Sequence, residues 1–455
     1  MMNSKTGLNE LFVWIWLPNA EAPVLCGRIE LNASGYRFTY GRNYLQIENA
    51  ISLDPLELPL TTRTTGYQSK FFGALRDAAP DAWGRRVLEY QFGLSVNSHN
   101  NLTEFDYLFH GGDKRIGALH FQTVPDRYIE HKNPNAKLED LYQAAEAVNS
   151  GEEIDAYLAE ALLHGTSIGG ARPKALISDG NTEWIVKFSV QTDTFPIIRQ
   201  EALGMLLAQK CGITTADLKL IRILGKDALL VRRFDIYAPV SSNCEICFEE
   251  RADSDEGKRE SRMPASEKQI SQFEETSIYT QDISLPPFRR HIISGLTALQ
   301  LDEMEARYAG YGDLAAFLWK YSSDPQTQCK ELYRRMIFNL LIGNTDDHAR
   351  NHAFFWDGHY ADLTPGYDIG VISRIGQSSS QAMIVGTEGT LSTRRNALSN
   401  SDQFGVSSYE ANQIFDELID NIQQHWKETC DNARLTQLER QKLLGRAVLS
   451  PTVIE

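Results

Sequence analysis

Short apolar runs broken by turn residues fill the first part of the chain, and stripes of helical period fill the last. Residues 12–16, 36–40, 45–47 and 119–123 are rich in β-branched and aromatic types and bounded by Asn, Gly and Pro, which predicts strands. A helical pattern interrupts them over residues 71–92. Over residues 138–163 the stretches LEDLYQAAEAV and IDAYLAEALLHG place apolar residues at helical spacing and end at Gly165. A turn, Ser167-Ile-Gly-Gly-Ala-Arg-Pro-Lys174, leads into strands at 175–177 and 183–189, joined through Asp179-Gly180-Asn181 as a hairpin. Residues 198–211 read as an amphipathic helix and 227–234 as another strand. Residues 241–275, with the run EERADSDEGKRESR, are too polar and charged to build a core and read as a solvated insertion. Beyond it, residues 329–342 and 409–426 are helical. In the second, Ala411, Ile414, Phe415, Leu418, Ile419 and Ile422 form one stripe. A β-rich half therefore precedes a helix-rich half.

Composition narrows the function. A chain of 455 residues has room for two to four domains. Acidic residues outnumber Lys plus Arg by 60 to 45, a formal charge of −15, so the chain is not expected to grip a phosphate backbone by itself. Six scattered cysteines do not make a disulfide framework, and a cytoplasmic protein is expected. Cys244-Glu-Ile-Cys247 has zinc-knuckle spacing without a second ligand pair, so ordinary thiols are expected there. The apolar run at 11–17, followed by Ala20-Glu21-Ala22, imitates a signal peptide but has no basic segment before it, and a buried strand is expected. No apolar run reaches the roughly 20 residues that span a bilayer, so no membrane partner is expected.

The densest polar cluster is Gly343-Asn-Thr-Asp346-Asp-His-Ala-Arg-Asn351, directly after an apolar helix. Such groups at a buried helix end must be paired, coordinated or used. Asp346 and Asn351 have the D-x-x-x-x-N spacing of a kinase catalytic loop, in which the Asp takes the acceptor proton and the Asn holds magnesium. Asp368-Ile-Gly370 resembles the metal-binding D-F-G element, and Trp184-Ile-Val-Lys187 the strand-borne V-A-I-K lysine that holds ATP phosphates. Glu201, on the next predicted helix, could orient Lys187 through an ion pair. Each match is weak alone, and their shared order carries the reading. Alternatives stay open at this point: Lys187 as a solvated strand residue, Asp368 in an ordinary turn, or His348 and His352 as metal ligands with Asp346 or Asp347 in a hydrolase or nuclease.

These segments, with Arg232-Arg-Phe-Asp235, Leu363-Thr-Pro-Gly-Tyr-Asp368, Ser52-Leu-Asp-Pro-Leu, Phe71-Phe-Gly and Arg115-Ile-Gly-Ala-Leu119, resemble the HipA family of toxin Ser/Thr kinases over nearly the whole chain. The resemblance implies an α/β (α+β), two-lobed protein-kinase-like fold with an extra β-rich N-terminal domain. On it, residues 1–125 would form the accessory domain, 126–237 the kinase N-lobe and 238–455 the helical C-lobe. It implies Asp346 as catalytic base, Asn351 and Asp368 as Mg2+ ligands and Lys187 as the ATP-phosphate lysine. It also implies Ser167 as an autophosphorylated serine in a phosphate-covering loop with Gly169 and Gly170, and Val231 to Phe234 as the hinge beside adenine. Its partners would be a HipB-like helix-turn-helix antitoxin, DNA only through that antitoxin, and a protein substrate such as an aminoacyl-tRNA synthetase. Arg232 stands where family members often carry Glu. An inactive kinase fold kept as a co-repressor and a small-molecule phosphotransferase are the competing functions.

Overall fold

Two antiparallel sheets organise the first half of the chain. In the computed structural model, residues 7–94, 102–130, 136–163, 170–179, 182–191, 193–237, 288–373 and 379–455 are described. The first sheet takes β1 (Glu10–Ile15), β2 (Val24–Asn32), β3 (Gly35–Tyr40) and β4 (Thr65–Tyr67), then closes on β5 (Leu119–Gln122) in the order β4-β3-β2-β1-β5. Leu11, Val13 and Ile15 lie fully buried on one face of β1, while Trp14 and Trp16 meet the ring of Tyr128 on the other. Burial on both faces explains why this strand reads as an unbroken apolar run.

The expected strand at 45–47 is one turn of 3-10 helix, Tyr44–Gln46. Its buried Tyr44 hydroxyl donates to Ile51 O at 2.7 Å, turning the chain back on itself where a strand would have run on. The helical pattern of 71–92 is two helices, α1 (Gly73–Asp77) and α2 (Ala82–Gln91). Pro80 falls between them, and Asp81 restarts the helix by accepting from Gly84 N at 2.9 Å. Next come α3 (Glu104–His110), α4 (Leu138–Ser150) and α5 (Ala156–Leu163).

The second sheet holds β6 (Lys174–Asp179), β7 (Thr182–Phe188), β8 (Leu218–Ile223) and β9 (Lys226–Arg232) in the order β6-β7-β9-β8, with α6 (Ile197–Lys210) between β7 and β8. Trp83 and Val87 of α2 share a core with Leu141 of α4, Leu162 of α5 and Val186 and Phe188 of β7. A helix from the first quarter of the chain thus packs on the second sheet.

The rest is mainly helical. Short pairings join β10 (Ile236–Tyr237) to β11 (Phe288–Arg289), and β12 (Ile292–Ser294), β13 (Ala353–Trp356) and β14 (Ala361–Leu363) to one another. Around them lie α7 (Gly295–Ala298), α8 (Tyr311–Tyr321), α9 (Pro325–Ile342), α10 (Arg394–Leu398), α11 (Ser408–Asn432), α12 (Gln437–Leu443) and α13 (Pro451–Ile454). Helix α9 ends at Gly343, whose φ of +69° is left-handed and whose missing Cβ would sit 2.6 Å from Ala447 O. Only glycine suits both conditions, and it releases the polar loop that follows.

Among the described residues no helix is long and apolar enough to cross a membrane. The polar segment 241–275, with Cys244 and Cys247, lies outside the described residues.

Candidate active site

Lys187 stands on β7 and Glu201 on the first half of α6, and the sheet-on-helix packing brings them together. Lys187 Nζ lies 2.5 Å from Glu201 Oε1 and 2.5 Å from Asp368 Oδ1. Three residues spread over the chain thus form one partly buried ion triad. Burial pulls the Lys187 ammonium down, but Asp368 and Glu201 outweigh it and its pKa is raised. Asp368 is held below the usual carboxylate range: burial pushes it up, and Lys187, Lys174 and His348 overcome that. Asp368 has a left-handed φ of +58°, a conformation that Asp tolerates better than most residues.

Gly204, one turn beyond Glu201, explains how Asp368 keeps its place. A Cβ at Gly204 would come within 2.3 Å of Ile369 O and 3.0 Å of Ile369 C. The bare backbone lets the segment after Asp368 lie directly on α6, where Val371 N donates to Gln200 O at 3.3 Å.

A cleft of about 440 Å³ opens beside the triad, lined by Lys187, Asp368, Ile185, Val231, Phe234 and Tyr367. Strand β9 stops at Arg232, so Phe234 lies past the strand end. Its ring meets Tyr367 at 5.7 Å and Phe355 at 5.9 Å. Tyr367 OH in turn donates to Arg350 O at 2.7 Å, tying the cleft wall to the polar loop.

In that loop the two neighbouring aspartates differ sharply. Asp347 is fully enclosed and accepts from Tyr311 OH, from Asn339 Nδ2 at 2.7 Å and from His352 Nε2 at 3.0 Å. Burial pushes its carboxyl up, but His352 and Tyr311 win and hold it below its ordinary value. Asp346 is exposed, and no described residue donates to its carboxylate; Asn351 Nδ2 instead bonds its backbone oxygen at 3.2 Å. Partial desolvation, with Asp368 and Asp347 nearby, raises the Asp346 pKa against the opposing pull of His348.

Asn351 Oδ1 is buried without a hydrogen-bond partner. An orphaned amide oxygen and the Asp368 carboxylate are hard oxygen donors of the kind a magnesium ion takes, with nucleotide oxygens completing the shell. The histidine alternative finds no support: His352 is engaged with Asp347, and among the described residues no three His, Cys, Asp or Glu side chains converge as metal ligands.

Of the remaining expected residues, Ser167 and Gly169 lie outside the described residues. Gly170 sits at the edge of the described chain with φ of +109°, its carbonyl accepting from Trp83 N at 3.4 Å. Sequence reasoning passed over Lys174, which is opposite Lys187 in the β6–β7 register and forms a buried ion pair with Asp81. Its signal was present, a lysine closing a Gly-containing turn at a strand start. The pairing with Asp81, 93 residues away, carried none.

The chain matches the HipA-like C-terminal domain over residues 166–426 and the HipA N-terminal domain over residues 16–122. A Sinorhizobium fredii protein called "Putative kinase Y4mE" is 25% identical over 380 residues, covering 78% of this chain and 76% of its own. A Haemophilus influenzae protein similarly described as a kinase is 32% identical over 68 residues, 15% of this chain and 20% of its own. Among solved structures, a chain of the Shewanella oneidensis MR-1 complex of HipA, HipB and operator DNA superposes with a TM-score of 0.64 at 19% identity, covering 96% of each chain. With both family domains in sequence order and a two-lobed, kinase-like α/β fold across nearly its whole length, the chain belongs to the HipA family.

Proposed function

We propose that this chain is a Mg2+- and ATP-dependent protein serine/threonine kinase and the toxin of a HipA-type toxin–antitoxin pair. One observation carries the reading: Lys187 is held by Glu201 and Asp368 at 2.5 Å each, while the Asp346 carboxylate and Asn351 Oδ1 are left open toward a reactant. A scaffold would gain nothing from leaving the buried Asn351 amide oxygen unmatched.

In this reading Lys187 binds the α- and β-phosphates, and Glu201 fixes its direction. Asn351 and Asp368 would hold magnesium, which neutralises developing charge on the phosphates when bound. Val231 and Phe234, with Tyr367, would flank adenine. Asp346 accepts the proton of the acceptor hydroxyl as its oxygen bonds the γ-phosphorus and the bond to ADP breaks. The raised pKa of Asp346 makes it a better base than an Asp of ordinary pKa.

A HipB-like helix-turn-helix antitoxin is proposed to supply the basic surface that a chain of −15 formal charge lacks, so that DNA is met only through it. Ser167 is proposed as a site of self-inactivation: about −1.5 to −2 charge on a phosphate-covering loop with Gly169 and Gly170 would repel ATP. A cytoplasmic location and a protein acceptor, such as an aminoacyl-tRNA synthetase, complete the proposal.

The test is incubation of the purified protein with labelled ATP, magnesium and a cell lysate, followed by phosphosite mapping. Phosphoserine or phosphothreonine on a protein, together with phospho-Ser167, is expected. A labelled metabolite would point to a small-molecule phosphotransferase, and no transfer to an inactive co-repressor.

A further inference from the structure

Helix α6 carries Glu201, and both of its ends are fastened to the C-terminal helices. In its first turn, Arg199 Nη1 donates to Arg434 O at 2.9 Å, and its guanidinium forks onto Glu439 at 2.9 and 3.1 Å. Glu439 is itself prepared for this contact, because it closes the capping box of α12 by accepting from Thr436 N at 2.7 Å and Thr436 Oγ1 at 2.8 Å. Arg434, in the turn between α11 and α12 with a left-handed φ of +57°, reaches Asp227 at 3.1 Å and Leu220 O at 3.0 Å on the neighbouring strands. At the far end, Arg334 of α9 donates to Cys211 O at 3.0 Å and pairs with Glu417 of α11 at 2.7 Å. Between the ends, the Gly204 seat presses the helix onto Ile369.

In kinase-like folds the Lys–Glu pair forms or breaks as its helix swings, and that swing is a common point of control. Here the swing is opposed from within the chain. We propose that Arg199 is a positioning residue: by pinning the first turn of α6 to Arg434 and Glu439, it keeps Glu201 on Lys187 with no partner or modification required. The inference rests on the kinase reading for its effect on activity, but not for its effect on the helix. Arg199 touches no reacting group; it acts through Glu201, two residues on. The pair is worth more than an isolated surface contact because the fork is bidentate and its acceptor is already fixed by a cap.

The test compares Arg199→Met with Lys210→Met in the full chain. Lys210, at the other end of α6, pairs with Glu428 of α11 at 3.0 Å, and both side chains are exposed. Hydrogen exchange in the nucleotide-free protein should quicken about tenfold over residues 197–203 in Arg199→Met, with Lys210→Met unchanged. kcat/KM for ATP should fall about tenfold in the first variant, with the thermal midpoint little altered, and stay at wild type in the second. Glu439→Gln, which keeps the cap but loses the charge, should give an intermediate effect. Equal exchange in the two Met variants, or equal losses of kcat/KM, would overturn the pin. A wild-type protein that transfers no phosphate would defeat the kinase reading, while the exchange comparison would still decide whether Arg199 holds the helix.

Discussion

Two charge clusters in this molecule differ in how completely they are closed. At the joint between the sheets, the Arg233 guanidinium forks onto Asp235 at 2.6 and 3.0 Å, meets Glu183 at 2.7 Å, and donates to Lys114 O and Arg115 O at 3.3 and 2.7 Å. Asp235 also accepts from Gly117 N at 2.8 Å, and Lys114 Nζ lies 3.2 Å from Glu183. Burial would lower the Arg233 pKa, but Asp235 and Glu183 raise it. In the loop after α9, by contrast, Asp347 takes three donors on Oδ2, whereas no described residue donates to the carboxylate of Asp346 beside it. A cluster that holds structure pairs its charges, whereas one that does chemistry keeps some open.

The comparison breaks most visibly at the joint. Arg233→Met should remove about 3–5 kcal/mol of stability, because it leaves Asp235 buried without its counter-charge and Glu183 with Lys114 alone. Denaturant unfolding reads this, and a loss below about 1 kcal/mol would mean that the joint is not closed as described.

Asp346→Asn should do the reverse, slowing phosphoryl transfer about 10²–10⁴-fold with stability and ATP affinity nearly kept. Single-turnover rates and calorimetric ATP titration separate the two effects, and full activity in this variant would remove Asp346 as the base.

Asp347→Asn tests the enclosed neighbour and should cost about 1–3 kcal/mol, since Tyr311, Asn339 and His352 would lose a charged acceptor. The folded pKa of Asp347 is depressed, so its contribution is present above the unfolded value of about 4 and is lost as pH falls through the folded value. Stability curves of wild type and variant should therefore converge below pH of about 4; a constant gap down to the lowest pH would contradict the assignment.

The smallest effect is expected for Gly204→Ala. About 1 kcal/mol of stability should go, as Ile369 is pushed off α6, with a several-fold weaker ATP affinity as Asp368 shifts from Lys187. Unchanged ATP binding would show that the seat is a packing detail.

Much of this was legible along the chain. The lysine strand, the helix with Glu201, the D-x-x-x-x-N loop and Asp368-Ile-Gly stand in an order and at spacings that need no structure to see, and β7, α6 and α9 fall where period and caps predict them. Strands β2 and β8 were missed. Val24–Asn32 mixes charged residues into an apolar run, and Leu218–Ile223 is half-exposed at a sheet edge, so neither shows a clean alternation. The short strands β12, β13 and β14 exist only through pairing with one another and leave little periodicity behind.

What the sequence determined by itself is local: which segments turn, which wind into helices, and which residue types arrive in what order, since periodicity, caps and turn chemistry act over a few neighbours. What only the tertiary structure decided is which charges are closed and which are open. Asp346 and Asp347 are the same residue side by side, and Arg232 and Arg233 likewise, yet Asp347 and Arg233 are sealed while Asp346 is exposed and Arg232 pairs at the surface with Asp217. Desolvation and pairing set those differences, and the groups responsible, Tyr311 for Asp347 and Glu183 for Arg233, lie 36 and 50 residues away along the chain.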